Sequence, residues 1–190
     1  MPKTHILNPA DNPVARMFWG KFPFTLATAL LVFDKGNKTQ KLIHQIKYYG
    51  HKELAVKMGK MLGAYLQNFD LFRSIDFLIP VPLHKRKLRM RGFNQSERIA
   101  RGVSDISKKP VFTNVLDRCH YNPSQTRKSR YERWENVADI FRIKEGVQLQ
   151  GKHILLVDDV ITTGATMEAC AHALLKIPEI KIALVSLASA

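Results

Sequence analysis

Two adjacent carboxylates, Asp158 and Asp159, stand shortly before a segment rich in hydroxyl groups. That segment consists of Thr162, Thr163, Gly164, Ala165 and Thr166. Ionised carboxylates only accept hydrogen bonds, so an adjacent pair suits the neighbouring hydroxyls of a sugar. The threonines add hydroxyl donors for an anion, and the glycine, which has no Cβ, lets the backbone approach it closely. A sugar 5-phosphate is the obvious ligand that needs both kinds of group.

The residues around this motif predict a strand, a turn and a helix, in that order. Residues 154–157 are an apolar run typical of a short buried strand, which we expect to end at the acidic pair. A helical pattern follows over about residues 166–176. Helix starts bind phosphate through their N–H groups, and open α/β sheets bind ligands where strands end. A simple turn with Asp as a helix cap explains one Asp and one Thr, whereas ligand binding explains the whole run.

A second group of chemically active residues follows another predicted strand, residues 75–81. Pro80 and Pro82 stiffen its exit, and residues 84–91 then carry five Lys or Arg and no acid. We predict a stiff basic loop over residues 83–91 that binds pyrophosphate through cations and loop N–H groups. The residues assigned to this role are Val81, Pro82, Leu83, Lys85, Arg86 and Arg91. The alternative is a basic surface loop with Gly92 as an ordinary turn; the cluster alone fits both interpretations equally, and only the resemblance of residues 154–166 described below favours pyrophosphate.

The whole chain has a formal net charge of +14, which indicates an anionic partner. Nucleic acid, a polyphosphate substrate and an acidic protein all stay open. For nucleic acid, the candidate contacts are Lys85, Arg86, Lys87, Arg89, Arg127, Lys128 and Arg130. The plainer alternative is a set of solvated faces that keep the protein soluble.

Length and composition predict one domain in a reducing compartment. The chain has 190 residues, of which 45% are hydrophobic, enough for a sizeable core. No apolar run approaches the roughly 20 residues that a membrane span needs, and the start lacks a secretory pattern. Cys119 and Cys170 lie in different segments and form no paired metal motif. We therefore expect a cytoplasmic protein with no membrane span and no structural disulfide.

Strands and helices are predicted to alternate along most of the chain. Residues 1–25 are expected to form an irregular arm whose aromatic residues pack onto the body. Strands are predicted at residues 26–33, 75–81, 111–116, 140–143, 154–157 and 180–187, and helices at about 42–49, 54–69, 95–107 and 166–176. This order indicates an α/β fold with a central parallel sheet flanked by helices and right-handed crossovers.

The run of residues 154–166 resembles the signature of type I phosphoribosyltransferases, which bind 5-phosphoribosyl 1-pyrophosphate (PRPP). The resemblance implies that Asp158 and Asp159 hold the ribose 2- and 3-hydroxyls and that residues 162–166 wrap the 5-phosphate. It also implies a phosphoribosyltransferase-like core over residues 73–190, with a small hood formed by residues 26–72. Mg²⁺ is expected to bind through PRPP, without a dedicated protein metal site.

Four separated motifs resemble the ComF/GntX family, bacterial phosphoribosyltransferase-like proteins linked to competence. They are residues 42–48 (LIHQIKY), 80–83 (PVPL), 91–95 (RGFNQ) and 125–130 (QTRKSR) followed by Arg133, Asn136 and Val137. They occur in the family's order, and the resemblance covers roughly residues 26–188. Many members begin with a four-cysteine zinc ribbon, whereas this chain has no cysteine before Cys119. No zinc is therefore expected, and the arm of residues 1–25 stands in the ribbon's place.

Two functions from different classes follow from the resemblance. One is a PRPP-dependent enzyme that transfers a phosphoribosyl group and releases pyrophosphate, with an unidentified acceptor. The other is a non-catalytic module that senses PRPP or a nucleotide and binds single-stranded DNA during uptake, alongside a competence helicase or ATPase. The sequence does not indicate an oligomeric state.

Further residues have two interpretations each. The residues assigned to a lid or to the acceptor side are Phe93, Asn94, Gln95, Ser129, Arg133 and Asn136. Phe93 is equally compatible with a core position. His44 and Lys47 share a helix face, either over the ligand or as a surface pair.

Overall fold

The central sheet is built from four apolar segments that pair in parallel. A computed structural model of the protein describes residues 11–34, 36–119 and 140–190. In spatial order the strands are β1 (Leu26–Val32), β6 (Lys181–Ser189), β5 (His153–Ile161) and β2 (Phe77–Pro80). A separate antiparallel pair joins β3 (Leu116–Arg118) to β4 (Phe141–Ile143). The predicted α/β class with a parallel sheet is therefore confirmed.

Helices cover both faces of this sheet. They are α1 (Pro13–Arg16), α2 (Lys38–Tyr48), α3 (Lys52–Leu66), α4 (Asp70–Arg73), α5 (Lys85–Arg91), α6 (Gln95–Ser107) and α7 (Ala165–Leu174). On one face, α2, α3 and α6 bury apolar residues such as Ile46, Leu62 and Ile99 against the sheet. On the other face, α7 packs together with Phe18 and Phe22 of the N-terminal segment. Both faces are covered, which explains why the strands are almost uniformly apolar.

Glycines let α3 and α6 lie in unusually close contact. A Cβ added at Gly102 of α6 would overlap the carbonyl oxygen of Val56 in α3, and one at Gly63 would lie 3.1 Å from Val103. The first turn of α6 is fixed separately, because the Asn94 side chain accepts the Ser96 N–H at 3.1 Å. Helix α6 is therefore held firmly beside the carboxyl ends of β2 and β5.

Three of the differences from the predicted elements lie at or near the carboxyl edge of the sheet or concern the strand next to it. The acidic pair does not end its strand, because β5 continues through Asp158 and Asp159 to Ile161, with Asp158 paired to Ser186 of β6. The basic stretch expected as a loop is helix α5, which His84 caps at the start and Gly92 ends in a left-handed conformation.

The third difference concerns the strand expected over residues 111–116. Val111 makes an isolated parallel bridge to Leu78, and regular pairing begins at Leu116. The resemblance also implied a hood formed by residues 26–72; β1, the first element of that range, is hydrogen bonded to β6 at the edge of the main sheet.

Candidate functional site

The acidic pair lies inside a strand and is almost completely buried. Asp158 is 9% exposed and Asp159 is 8% exposed. The Ser96 hydroxyl donates to Asp158 Oδ1 at 2.9 Å, and the Asp159 backbone N–H donates to the same oxygen at 2.8 Å. Lys47 Nζ lies 3.2 Å from Asp159 Oδ2. Helices α2 and α6 therefore each supply a side chain that holds one carboxylate in place.

Burial changes the acidity of this pair. It is the main cause that raises the pKa of Asp158 to about 7, and the neighbouring charge of Asp159 raises it further. The hydrogen bonds from Asp159 N–H and Ser96, together with the charge of Lys47, act in the opposite direction. Near neutral pH Asp158 is therefore poised between its protonated and ionised forms, and a ligand that donates hydrogen bonds to it or brings positive charge favours the ionised form.

Residues 162–166, named here the threonine loop, run from the end of β5 into α7. Asp158 and the loop line a small cavity of about 30 Å³. The N-cap of α7 is Gly164, at φ +77°, and a glycine has no side chain to satisfy the first N–H groups of the helix. Thr162 and Thr163 are exposed, and the Ala165 N–H donates a long 3.4 Å bond to Thr163 Oγ1. Donors for an anion are thus concentrated beside the carboxylates.

The N-terminal segment supports the threonine loop from behind. The ring of the fully buried Phe18 lies so close that a Cβ at Gly164 would stand 2.9 Å from Phe18 Cε1. Lys21 forms a 3.0 Å ion pair with Glu168 in the first turn of α7. Phe18 and Lys21 of this segment therefore support the loop and the first turn of α7, a role that the sequence alone did not indicate.

Helix α5 presents its cations without a buried face. Each of its residues is exposed or half-buried, and Lys85 and Arg86 are exposed. Lys87 is half-buried, and its pKa is lowered first by burial and then by the nearby charges of Arg118, Arg91 and Lys47. Four cations therefore converge beside Asp159, an arrangement that an anion would stabilise.

Two of the residues predicted to bind pyrophosphate have clear positions. Val81 is buried; its N–H donates to Val157 O at 2.9 Å and its carbonyl accepts from Asn94 Nδ2 at 3.0 Å. Its backbone groups are thus used within the protein. Arg91 is held by its 3.1 Å bond to Gln95 Oε1 and by a cation–π contact with Tyr48, 5.4 Å from the ring centroid. Pro82 and Leu83 are half-buried between these positions and α5.

The residues assigned to a lid or acceptor side separate into two groups. Phe93 is 4% exposed with Lys52 Nζ 5.7 Å from its ring centroid, which favours packing over a lid. Asn94 and Gln95 form the start of α6, as described above. The remaining assigned residues lie outside the described part of the chain: Arg127, Lys128, Ser129, Arg130, Arg133 and Asn136.

Sequence reasoning missed two residues of this site, Ser96 and Arg118, and left the role of a third, Lys47, open. Ser96 and Arg118 carried no motif signal, since their role depends on α6 and β3 reaching the same sheet edge. Lys47 was weighed together with His44, and its ion pair with Asp159 supports the interpretation in which it faces the site. The sequence feature that could have assigned Lys47 to the site is its position in the motif of residues 42–48.

The described residues contain neither a cluster of metal-ligating side chains nor a membrane-spanning helix. There, no group of three or more His, Cys, Asp or Glu side chains is placed to hold a metal ion. None of the helices in the same residues is long and apolar enough to cross a membrane. Both cysteines are free, with Cys119 exposed and Cys170 buried in the core.

Comparison with known proteins agrees with this arrangement. The pattern of the phosphoribosyl transferase domain matches residues 90–189. The chain is 31% identical over 148 residues to the DNA utilization protein YhgH of Shigella flexneri, covering 76% of this chain and 64% of that protein. It is 35% identical over 151 residues to the competence protein ComFC of Bacillus subtilis, covering 76% and 57%.

A solved structure gives a weaker match. The glutamine PRPP amidotransferase of B. subtilis is 17% identical, with a TM-score of 0.48 over 85% of this chain and 32% of that one. This similarity is too low to indicate a shared activity. The two relatives named above are also longer proteins, since the chain spans 64% and 57% of their lengths.

Proposed function

Because the chain belongs to the phosphoribosyl transferase domain family and, within it, to the ComF family, we propose that it binds PRPP at the carboxyl edge of its sheet and transfers the phosphoribosyl group to an acceptor. The observation that carries this proposal is one continuous segment, β5 to α7. It joins two buried carboxylates to a glycine-started helix within a few residues. Few ligands other than a sugar 5-phosphate need both groups at this spacing.

Each part of the ligand has a matching group. The threonine loop would bind the 5-phosphate through backbone N–H and hydroxyl groups. Asp158 and Asp159 would accept hydrogen bonds from the ribose 2- and 3-hydroxyls, which favours the ionised pair. Ser96 and Lys47 would keep the two carboxylates oriented while the sugar binds.

In the proposed reaction, the bond between C1 of the ribose and the pyrophosphate oxygen breaks, and the acceptor forms a new bond to C1. Positive charge develops on the ring as the pyrophosphate leaves, as in glycoside cleavage. The acidic pair favours that charge. The cations Lys87 and Arg91 would neutralise the departing pyrophosphate, with Arg118 as a further cation at the same place.

Magnesium fits this site chiefly as part of the ligand. Carboxylate oxygens are donors that Mg²⁺ accepts, but Asp159 is already paired with Lys47 and Asp158 Oδ1 accepts two hydrogen bonds. The ion would therefore be held mostly by PRPP oxygens and water, with these carboxylates close by. When bound, it supplies charge neutralisation for the pyrophosphate.

Titration calorimetry with PRPP, with and without Mg²⁺, tests the binding part of the proposal. We expect saturable binding that Mg²⁺ strengthens and that ribose 5-phosphate reproduces more weakly. Pyrophosphate release, screened across nitrogen acceptors, tests transfer. If PRPP binds neither with Mg²⁺ nor without it, the proposed function is contradicted.

A second candidate is a non-catalytic module of DNA uptake, in which the pocket senses PRPP or a nucleotide and the basic surface binds single-stranded DNA. Helix α5 favours this alternative, because it exposes Lys85, Arg86 and Arg89 on a helix without a buried face. A competence helicase or ATPase would be the protein partner, and the setting would be the cytoplasm. Phosphate contacts would dominate the affinity for DNA and make it fall steeply with salt.

The two candidates give different results. PRPP binding without pyrophosphate release for any acceptor would favour the sensing module. For DNA, fluorescence anisotropy of a labelled single strand should show weaker binding in the triple variant Lys85→Gln, Arg86→Gln, Arg89→Gln and at higher salt. Salt-insensitive binding, or none, would end the DNA hypothesis.

A further inference from the structure

The side chain of Arg91, at the end of α5, is held by residues of two other helices. Its Nη1 donates to Gln95 Oε1 of α6 at 3.1 Å. Its guanidinium carbon lies over the ring of Tyr48 of α2, 5.4 Å from the ring centroid. A long side chain loses much rotamer freedom when it is held from two sides, so this arrangement has an entropic cost that needs a reason.

The donors of this arrangement are not all satisfied. Arg91 Nε and Gln95 Nε2 are buried and have no acceptor among the described residues. The orientation of the Gln95 amide is set by the guanidinium group, because only its oxygen can accept from Arg91. A contact with a purely structural role is expected to leave no buried donor without a partner. The unsatisfied donors therefore favour a functional role for this contact.

Each residue that holds Arg91 is next in the chain to one that holds the acidic pair. Tyr48 follows Lys47, whose ammonium nitrogen lies 3.2 Å from one carboxylate of the pair. Gln95 precedes Ser96, whose hydroxyl donates to the other carboxylate at 2.9 Å. Helices α2 and α6 therefore position the two carboxylates and the guanidinium group together, which fixes the separation between them.

An anion can reach Arg91 from the side of the acidic pair. Arg91 and Lys47 line the same cavity, which has a volume of about 340 Å³. Burial lowers the pKa of Lys87, and the charges of Arg118 and Arg91 lower it further, so these cations lie close together. In PRPP the pyrophosphate is joined to C1 of the ribose, so its distance from the ribose hydroxyls is set by the ligand itself.

We propose that Gln95 and Tyr48 are positioning residues, which hold Arg91 at the distance from the acidic pair that the pyrophosphate of PRPP requires. The inference rests on the proposed function. Gln95 then has a role other than the lid or acceptor side predicted from the sequence. A cation that is already held in place loses less freedom when the ligand binds, which strengthens binding of a ligand that spans both groups.

Titration calorimetry with PRPP and with ribose 5-phosphate, which has no pyrophosphate, tests this role. Gln95→Leu and Tyr48→Ala should each weaken PRPP binding about threefold to fivefold and leave the affinity for ribose 5-phosphate unchanged. Tyr48→Phe keeps the ring and should bind PRPP as the wild type does. Tyr48 is 62% exposed, so its variants should fold even if Gln95→Leu does not.

Tyr49→Ala is the matched control. Tyr49 is 63% exposed, follows Tyr48 in the chain and lines the same cavity as Arg91. Its substitution should leave both affinities unchanged.

A second measurement separates positioning from direct contact with the ligand. In an Arg91→Met background, Gln95→Leu and Tyr48→Ala should cause no further loss of PRPP affinity, because both residues act through Arg91. An undiminished loss in that background, an equal loss for ribose 5-phosphate, or wild-type PRPP affinity in both single variants would overturn the positioning role alone. If the wild type binds neither PRPP nor ribose 5-phosphate, the proposed function fails, and the positioning role with it.

Discussion

The threonine loop and helix α5 both follow core strands at the same sheet edge, but they are held in opposite ways. Behind the loop, the buried Phe18 ring fills the space that a Cβ at Gly164 would need. Residues of α5 are exposed or half-buried, and the cations nearest the acidic pair crowd one another. One region offers a packed backbone, and the other offers charge on long side chains.

This difference indicates how the two ends of PRPP would be recognised. The 5-phosphate and the ribose hydroxyls have a fixed shape, which a preorganised loop matches without reordering. The pyrophosphate leaves during the proposed reaction, and side-chain cations adapt to its departure. Substitutions in the loop should therefore change stability and binding together, whereas those in α5 should change binding alone.

The largest effect is expected where the two regions meet, at the acidic pair. Asp158→Asn combined with Asp159→Asn should weaken PRPP binding by about 100-fold or more, because charge-assisted hydrogen bonds to the ribose are lost. Calorimetry measures this change, and circular dichroism checks the fold. Unchanged affinity for PRPP would contradict the assignment of the pair.

The stability of Asp158→Asn provides an independent check with a definite sign. The pKa of Asp158 in the folded protein, about 7, lies above the ordinary value of 3.8, so folding favours its protonated form. The preference of the folded protein for protonated Asp158 adds to the free energy of unfolding. This contribution is complete below pH 3.8 and is lost as the pH rises to 7. The variant should therefore be more stable than the wild type at pH 8, by about 2–4 kcal/mol, and equal at pH 3.5. Chemical denaturation at both pH values measures the difference.

Next in size is a change behind the loop. Gly164→Ala adds a Cβ 2.9 Å from the Phe18 ring at a φ of +77°, so we expect a loss of about 1–3 kcal/mol in stability. The affinity for ribose 5-phosphate should fall about 10-fold, because the loop backbone must move.

Phe18→Leu tests the cause of this effect. The smaller side chain should relieve the contact and restore part of the affinity in the double variant, although it destabilises the wild type. Additive losses in Gly164→Ala with Phe18→Leu would show that the contact does not hold the loop. Thermal unfolding and calorimetry of the four proteins complete the cycle.

A smaller and purely ligand-dependent effect is expected in α5. Lys87→Met and Arg91→Met should each weaken PRPP binding about 5- to 10-fold, while affinity for ribose 5-phosphate and thermal stability stay near wild type. Arg89→Met is the matched control, since Arg89 is exposed on the same helix and is not among the residues assigned to pyrophosphate. An equal loss for both ligands would contradict the assignment of these cations to the pyrophosphate end.

The contrast between the two regions also explains what the sequence could predict. The order of strands and helices follows from apolar periodicity, and α6 has the predicted bounds, residues 95–107. The ComF resemblance was confirmed by the comparison with known proteins. The sequence could show it because each of its motifs is a short, local run of residues. The acidic pair was found by residue type, but its place inside β5 was not, because pairing with Ser186 and Ala188 of β6 extends that strand.

The missed residues depend on contacts between distant elements. Ser96 reaches Asp158 across 62 positions in the chain, and Phe18 reaches Gly164 across a longer separation. No local pattern marks either contact. The basic stretch of residues 83–91 was predicted as a loop because its cations lack an apolar face; its helix depends on the His84 cap and the left-handed Gly92 instead.

The smallest predicted effect concerns Lys47, which joins both regions because its charge acts on the acidic pair and on Lys87. The ammonium group lowers the pKa of Asp158, so Lys47→Met should raise it. PRPP affinity should rise with pH through about 7 in the wild type, and the midpoint should lie about half a unit to one unit higher in the variant. Affinity at pH 7 should fall about threefold and recover at pH 9.

Because the phosphates of PRPP titrate identically with both proteins, the difference between the two profiles isolates the pair. Lys41→Met, an exposed position on the same helix, should leave the profile unchanged. A loss in Lys47→Met that persists at pH 9 would mean that Lys47 contacts the ligand directly, and would assign it to the cations of α5 rather than to the support of the acidic pair.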